Sequence, residues 1–339
     1  MQPLVDKLDQ QNILNYIVLT TSKEYKNIKV KTIVLYINPI LWRFMKGNII
    51  LTSNSGVSAK LINGFQTRIH SFHSPISVLR IYPDNAFDAF NTFFISGKHH
   101  DAELKYLFEK RKLPAPITFE TGYMRIESFY KFNQNYKKKL HGRTIIIAPS
   151  WGEFNIINLF GYDIIFSLLD AGFNVILRPH PGNEIYNTSE IAKIRKGFDT
   201  HPKFYYDSWD RMDLICESDI LIGDWSGISF EFALALNRPV IFIDTQPKDN
   251  HGSPSSFDLF EEYAREKVGR VICENSMKDI ANIVNGIFVN YEAYKENIRE
   301  NKADLIFNCP ESSDSIFECV SNLARETLSS AGELEVKED

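Results

Sequence analysis

The chain is poor in the features that mark several large protein classes. It has four cysteines in 339 residues, and Cys216, Cys273, Cys309 and Cys319 stand apart with no C-x-x-C spacing. That pattern supports neither a disulfide framework nor a zinc site, and it fits a reducing compartment. No apolar run approaches the ~20 residues that cross a bilayer. Met1–Gln11 carries acidic residues and lacks the apolar stretch of a secretion signal, so a cytoplasmic chain is expected. A basic excess is missing too. The formal net charge is -5, whereas nucleic-acid binders carry a strong positive surplus, so no nucleic-acid partner is expected. Neither an internal repeat nor a low-complexity segment is present.

Familiar catalytic signatures are absent as well. There is no G-x-x-x-x-G-K-[ST], no glycine-rich dinucleotide fingerprint, no G-x-S-x-G and no H-E-x-x-H. Asp199, Asp207, Asp210 and Asp213 are scattered and form no D-x-D pair for a divalent cation. No metal and no cofactor are expected.

What is present is an alternation of apolar runs and amphipathic stretches, which reads as βα units and a parallel sheet. Strands are expected at Leu14–Leu19, Val30–Tyr36, Ile49–Thr52, Gln66–Phe72, Thr92–Ile95 and Ile117–Glu120. Helices are expected at Ser55–Asn63, capped by Ser53 or Asn54, and at His100–Arg111. Residues 122–143 show no clean period, which places a domain boundary near 135–143. The second half reads as strands Thr144–Ala148, Asn174–Leu177, Lys203–Tyr206, Asp219–Ile222, Pro239–Ile243 and Arg270–Ile272. Its helices are Ile157–Ala171, closed by Gly172, then Arg211–Glu217, Ile228–Leu236, Phe257–Glu266 and long segments in 277–308 and 312–327. The expected division is residues 1–135, residues 136–328 and a disordered acidic tail at 329–339.

In such sheets ligands bind outside the carboxyl ends of the strands. Arg178-Pro179-His180-Pro181 follows one strand, its prolines fixing the backbone around His180. It reads either as a contact to phosphate oxygens or as a capping turn in which His180 bonds only backbone. Gly223-Asp224-Trp225-Ser226-Gly227 follows another strand and opens a helix, with Ser226 as N-cap. It is either an anion site or a plain strand–cap–helix junction. Glu231, about one turn in, stands where a carboxylate reaches ribose hydroxyls. In the first half, His73 precedes Ser74-Pro75 at a strand end and has the chemistry of a general base. His70 reads as a core residue, and His99-His100 as helix-start residues. Lys137–Lys139 with Arg143 is either a solvated linker or a contact to anionic lipid or an anionic acceptor.

These segments together resemble the CDP-glycerol glycerophosphotransferase family, the teichoic-acid polymerases and primases. The resemblance runs from residue 65 to about 310. It is carried by IIIAPSW at Ile145–Trp151, LRPHP at Leu177–Pro181, and SDILIGDWSGISFEFALALNRPVIFI at Ser218–Ile243. Looser matches are Thr121–Arg125, similar to the family's Gly-x-Pro-Arg turn, and His73–Ser77, similar to its His-Gly-Thr-Pro turn. The resemblance implies a GT-B-like α/β fold, two Rossmann-like domains with parallel sheets facing a central cleft. It also implies metal-independent transfer of glycerol phosphate, or a related polyol phosphate, from CDP-glycerol to a glycan or polyol-phosphate acceptor, with peripheral contact to the inner face of the membrane. His73 would be the base, His180 and Arg178 would serve the donor phosphates, and Ser226 with its helix would hold the diphosphate. Asp224, Gly227, Glu231 and Ser150 would complete the donor side. Three departures stand out: Gly227 replaces the second serine of Asp-Tyr-Ser-Ser, Ser74 replaces the glycine after the histidine, and Ser150-Trp151-Gly152 replaces Thr-Trp-Arg. Transfer from a CMP- or UDP-sugar, isomerisation of the UDP-sugar 2-epimerase kind, and non-catalytic nucleotide binding are the alternative readings.

Overall fold

A computed structural model of the protein describes residues 2–11, 17–20, 33–36, 39–208, 211–247 and 258–335. In chain order the first half holds α1 (Gln2–Gln11), β1 (Ile17–Thr20), β2 (Ile33–Tyr36), β3 (Gly47–Thr52), α2 (Ala59–Ile62), β4 (Phe65–Ser71), α3 (Val78–Ile81), β5 (Thr92–Ile95), α4 (Lys98–Lys110), β6 (Ile117–Glu120) and α5 (Met124–Asn135). There follow β7 (Thr144–Ile147), α6 (Ile156–Asp170), β8 (Asn174–Leu177), α7 (Pro181–Tyr186), α8 (Thr188–Phe198), β9 (Phe204–Tyr206), α9 (Met212–Glu217), β10 (Ile220–Gly223), α10 (Gly227–Leu236) and β11 (Val240–Ile243). The chain closes with α11 (Phe260–Val268), β12 (Gly269–Ile272), α12 (Ile280–Val289), α13 (Tyr291–Leu305) and α14 (Ser313–Glu335).

The chain divides into two units. Met1–His73, Tyr82–Met124 and Ile306–Asp339 form the first, and Ser74–Ile81 with Arg125–Leu305 form the second. In the first, β3-β4-β5-β6 make a four-stranded parallel sheet in chain order, and β1 pairs with β2 in a separate parallel ribbon. Side chains alternate across β4. Ile69 joins Phe94 on a face covered by Leu4 and Leu8 of α1 and Ile316 of α14. His70, its neighbour, is fully buried and touches Phe72, Phe87 and Phe90, with ring centroids 4.8, 4.9 and 5.0 Å away.

The second unit is built on uninterrupted apolar strands. Every residue of β7, β8, β10 and β11 is buried, the pattern of a parallel sheet covered on both faces. The order is β12-β11-β10-β7-β8-β9, all parallel. From β7 the chain runs outward through β8 and β9, then returns to β10 on the other side. The order reverses between β7 and β10, and in sheets of this kind the ligand crevice lies outside the carboxyl ends of the strands at such a reversal. Helix α6 is capped by Asn155, whose side chain accepts from the N–H groups of Ile157 and Asn158. After it, Gly172 takes φ +86°, where a side chain would be strained.

Several expectations need correction. The boundary expected near 135–143 is passed by α5, which lies in the second unit from Arg125 onward. Ser74–Ile81 also packs in the second unit. The C-terminal segment returns to the first unit, because the apolar face of α14 (Ile316, Phe317, Val320, Leu323) covers that sheet. The acidic tail is helical as far as Glu335; residues 336–339 lie outside the described residues, as do the expected strand starts at 14–16 and 30–32, the helix start at Phe257, and Asp210. Neither Ser53 nor Asn54 caps a helix. The N-cap is Ser58, four residues on, and its side chain makes no capping bond. The basic run is pinned in part: Lys138 pairs with Asp219 at 2.6 Å, and the N–H groups of Lys139 and Leu140 donate to Glu217. Among the described residues no helix is long and apolar enough to cross a membrane.

Candidate functional site

In the second unit the crevice is braced by one carboxylate. Asp224 is fully buried. Its Oδ1 accepts the N–H of Ser150 at 2.7 Å and its Oδ2 that of Ile156 at 3.2 Å, joining the end of β10 to the end of β7 and the start of α6. Burial raises its pKa, an effect the Ser150 and Ile156 N–H groups oppose. Asp224, expected on the donor side, ties the three elements together. Ser150 is turned to the same frame, since its carbonyl also accepts from Asn183 Nδ2 at 2.9 Å.

At the end of β8, His180 is the N-cap of α7. Its Nδ1 accepts the N–H of Gly182 at 3.0 Å. A ring nitrogen that accepts carries no proton, so the neutral tautomer has its hydrogen on Nε2. The ring is exposed and stacks on Trp151, which stacks in turn on Tyr186. Arg178, expected to serve the donor phosphates, also has a protein partner. Its Nη1 donates to the buried Asp207 at 2.9 Å, so an opposite charge offsets it.

At the end of β10, α10 starts at Gly227 with Ser226 in the N-cap position. The Ser226 side chain makes no capping bond, contrary to expectation. The helix therefore presents its first N–H groups without a side-chain cap, beside a part-exposed hydroxyl. Glu231 is buried, and its Oε2 is held by Arg125 Nε at 2.8 Å. The sequence singled out both residues but not their pairing, since 106 positions separate them. Also missed was a stack around Trp225, with the guanidinium carbons of Arg80 and Arg265 4.6 and 3.7 Å from its ring centroid. The only signal for it was a tryptophan beside the capping serine.

In the first unit His73 is exposed and lines a cavity of about 370 Å³ with Ser53, Asn54 and Ser55. Its Nδ1 lies 3.3 Å from the Ser53 carbonyl. A carbonyl only accepts, so in the tautomer that satisfies it Nδ1 carries the proton and Nε2 the lone pair. Tyr82 Oη stands 3.2 Å from Nε2 and 3.3 Å from Nδ1, and burial holds the phenol protonated well above its ordinary range. Tyr123 Oη donates to the His73 carbonyl at 2.5 Å. Among the described residues His70 has no hydrogen-bond partner for either nitrogen. Burial, then the neighbouring His73 and His100, push its pKa down to about 3. Among the described residues no group of three or more His, Cys, Asp or Glu side chains is arranged to hold a metal ion.

A family model described as CDP-Glycerol:Poly(glycerophosphate) glycerophosphotransferase matches residues 102–301, more than half of the chain. The chain belongs to this family. The teichoic acid poly(glycerol phosphate) polymerase of Bacillus spizizenii is 29% identical over 143 residues, which are 36% of this chain and 34% of that protein. The match thus spans about a third of the relative's length. The wall teichoic acid polymerase TagF, as a histidine-to-asparagine variant, matches with a TM-score of 0.64 at 14% identity, covering 98% of this chain and 86% of that one. The same variant soaked with CDPG matches at 0.63. A UDP-GlcNAc 2-epimerase from Neisseria meningitidis, bound to UDP-GlcNAc, matches at 0.58 and 12% identity, covering 97% and 96%. These likenesses establish the fold class, a GT-B-type α/β fold with parallel sheets.

Proposed function

We propose that the chain moves a glycerol-phosphate unit, or a related polyol phosphate, from a CDP-activated donor to a hydroxyl of a cell-surface polymer or glycan acceptor. The carrying observation is the family match over residues 102–301, which encloses the ends of β7, β8 and β10 and the start of α10. The likeness to TagF soaked with CDPG points the same way.

The donor diphosphate would sit on the first N–H groups of α10 beside Ser226, where the helix dipole favours an anion. His180 would donate its Nε2–H to a phosphate oxygen, and Arg178, already half neutralised by Asp207, would add less. Glu231, steered by Arg125, would face the ribose. The acceptor alcohol needs its proton removed as its oxygen attacks phosphorus, and His73 Nε2 has the lone pair for it. One P–O bond forms, the bond to the cytidine phosphate breaks, and CMP leaves on charge stabilised by helix and histidine. No metal is required in this scheme. With a nucleotide donor, the reaction would run in the cytoplasm and meet its acceptor at the inner face of the membrane.

The test is release of CMP from CDP-glycerol by the whole chain, with a bacterial membrane preparation as acceptor and excess EDTA present. Undiminished release is expected. Loss in EDTA restored by magnesium would overturn metal-free stabilisation, turnover of a CMP- or UDP-sugar instead would make the chain a glycosyltransferase, and binding without turnover would make it a non-catalytic partner.

A further inference from the structure

Two of the sequence departures meet in space. Gly227 stands where the family pattern has a serine, and Ser74 stands where it has a glycine. A Cβ built on Gly227 would collide with Ser74 Oγ and come within 3.6 Å of Ser74 Cβ and Pro75 Cδ. Gly227 is also the first residue of α10 and is not in a left-handed conformation, so a side chain there is limited by Ser74 Oγ and not by the backbone.

Ser74 is held in that place. The strap Ser74–Ile81 belongs to the second unit. Ser77 N donates to Glu261 Oε2 at 3.3 Å, and Ser77 Oγ accepts from Phe260 N at 2.8 Å. Arg80 Nη2 donates to Glu262 at 2.5 Å while its guanidinium lies against Trp225, the residue before Ser226. Ser77 and Arg80 are buried, whereas Ser74, Ser226 and Gly227 stay part-exposed. On the first turn of the same helix, Ser229 Oγ is buried and has no hydrogen-bond partner among the described residues.

We infer that Ser74 is a donor-binding residue, its Oγ–H donating to a diphosphate oxygen at the N-terminus of α10 in place of a serine at 227. The inference rests on the donor reading above and adds a residue to it. It accounts for both departures as one exchange: a serine at 227 requires Ser74 Oγ to turn away from the helix, and a glycine at 74 removes the hydroxyl.

Calorimetric titration of CDP-glycerol into wild type, Ser74→Ala, Gly227→Ser and Ser74→Gly/Gly227→Ser tests it, with thermal melts to confirm folding. Ser74→Ala should weaken affinity about tenfold, the loss of one hydrogen bond to a charged group. Its KM should rise by a similar factor, with kcat changed by less than about twofold, as for lost uniform binding. Gly227→Ser should weaken affinity at least as much, and the double variant should return to within about threefold of wild type, a coupling expected only of residues in contact. Wild-type affinity in Ser74→Ala, or a double variant no tighter than Gly227→Ser, would overturn the inference and leave the donor reading standing. A wild-type protein that binds no CDP-glycerol would overturn both.

Discussion

The strand ends after β4 and β8 look alike in sequence and differ in chemistry. Each carries a histidine one or two residues before a proline, in His73-Ser74-Pro75 and in His180-Pro181. At β8 the ring is spoken for by its own turn, with Nδ1 accepting from Gly182 and the hydrogen on Nε2. At β4 Nδ1 lies against the Ser53 carbonyl, and the tautomer that satisfies it has the hydrogen on Nδ1 and Nε2 as the acceptor. Nε2 is thus a donor in one case and an acceptor in the other. The difference comes from what the neighbouring backbone offers, an N–H or a C=O, and not from the histidine or its proline.

The largest expected effect breaks the base side of this comparison. His73→Ala should cut turnover by about 10²–10⁴ while leaving CDP-glycerol affinity nearly unchanged. Near-normal turnover in that variant would move the base elsewhere. The donor side is sharpened by His180→Asn, because asparagine is a good N-cap and can still accept from Gly182. Its melting temperature should stay close to wild type, while donor affinity falls about tenfold in a titration. A drop in melting temperature with affinity intact would return His180 to a purely capping role.

The smallest effect concerns the first unit's aromatic core. His70 is neutral in the folded state down to about pH 3, whereas in the unfolded chain it takes up a proton below about 6.5. Between those values the unfolded state binds more protons, so this group's contribution is intact above about 6.5 and is lost as pH falls towards 3. The slope reaches about 1.4 kcal/mol per pH unit. His70→Phe, among Phe72, Phe87 and Phe90, should flatten the decline in stability measured by urea unfolding between pH 7 and 5. An unchanged decline would place the proton uptake on another group.

Much of the second unit was legible because its strands are short, apolar and punctuated. The runs Asn174–Leu177 and Pro239–Ile243 could be little other than buried strands, and both were placed to within a residue. Gly172 announced the end of α6 by the same local logic. Helix α5 was missed because its polar and aromatic residues keep no clean period, so tertiary packing decided it. The candidate site was half legible. Sequence marked His73, His180, Ser226 and Glu231, since strand ends and caps are local signals. It could not show that Asp224 is buried with two backbone N–H partners, which follow from the reversal between β7 and β10.

By itself, then, the sequence determined which segments became strands, where the turns after them fell, and the kind of side chain each turn carried. Those choices depend on hydrophobic period, backbone freedom and capping, all of which act within a few residues. Tertiary structure alone decided which turns share a place. Arg125 reaches Glu231, α14 returns to the first sheet, and Ser74 fills the space left at Gly227, 153 positions away by their numbering. No local rule encodes such meetings, because they exist only once the apolar faces between them have been buried.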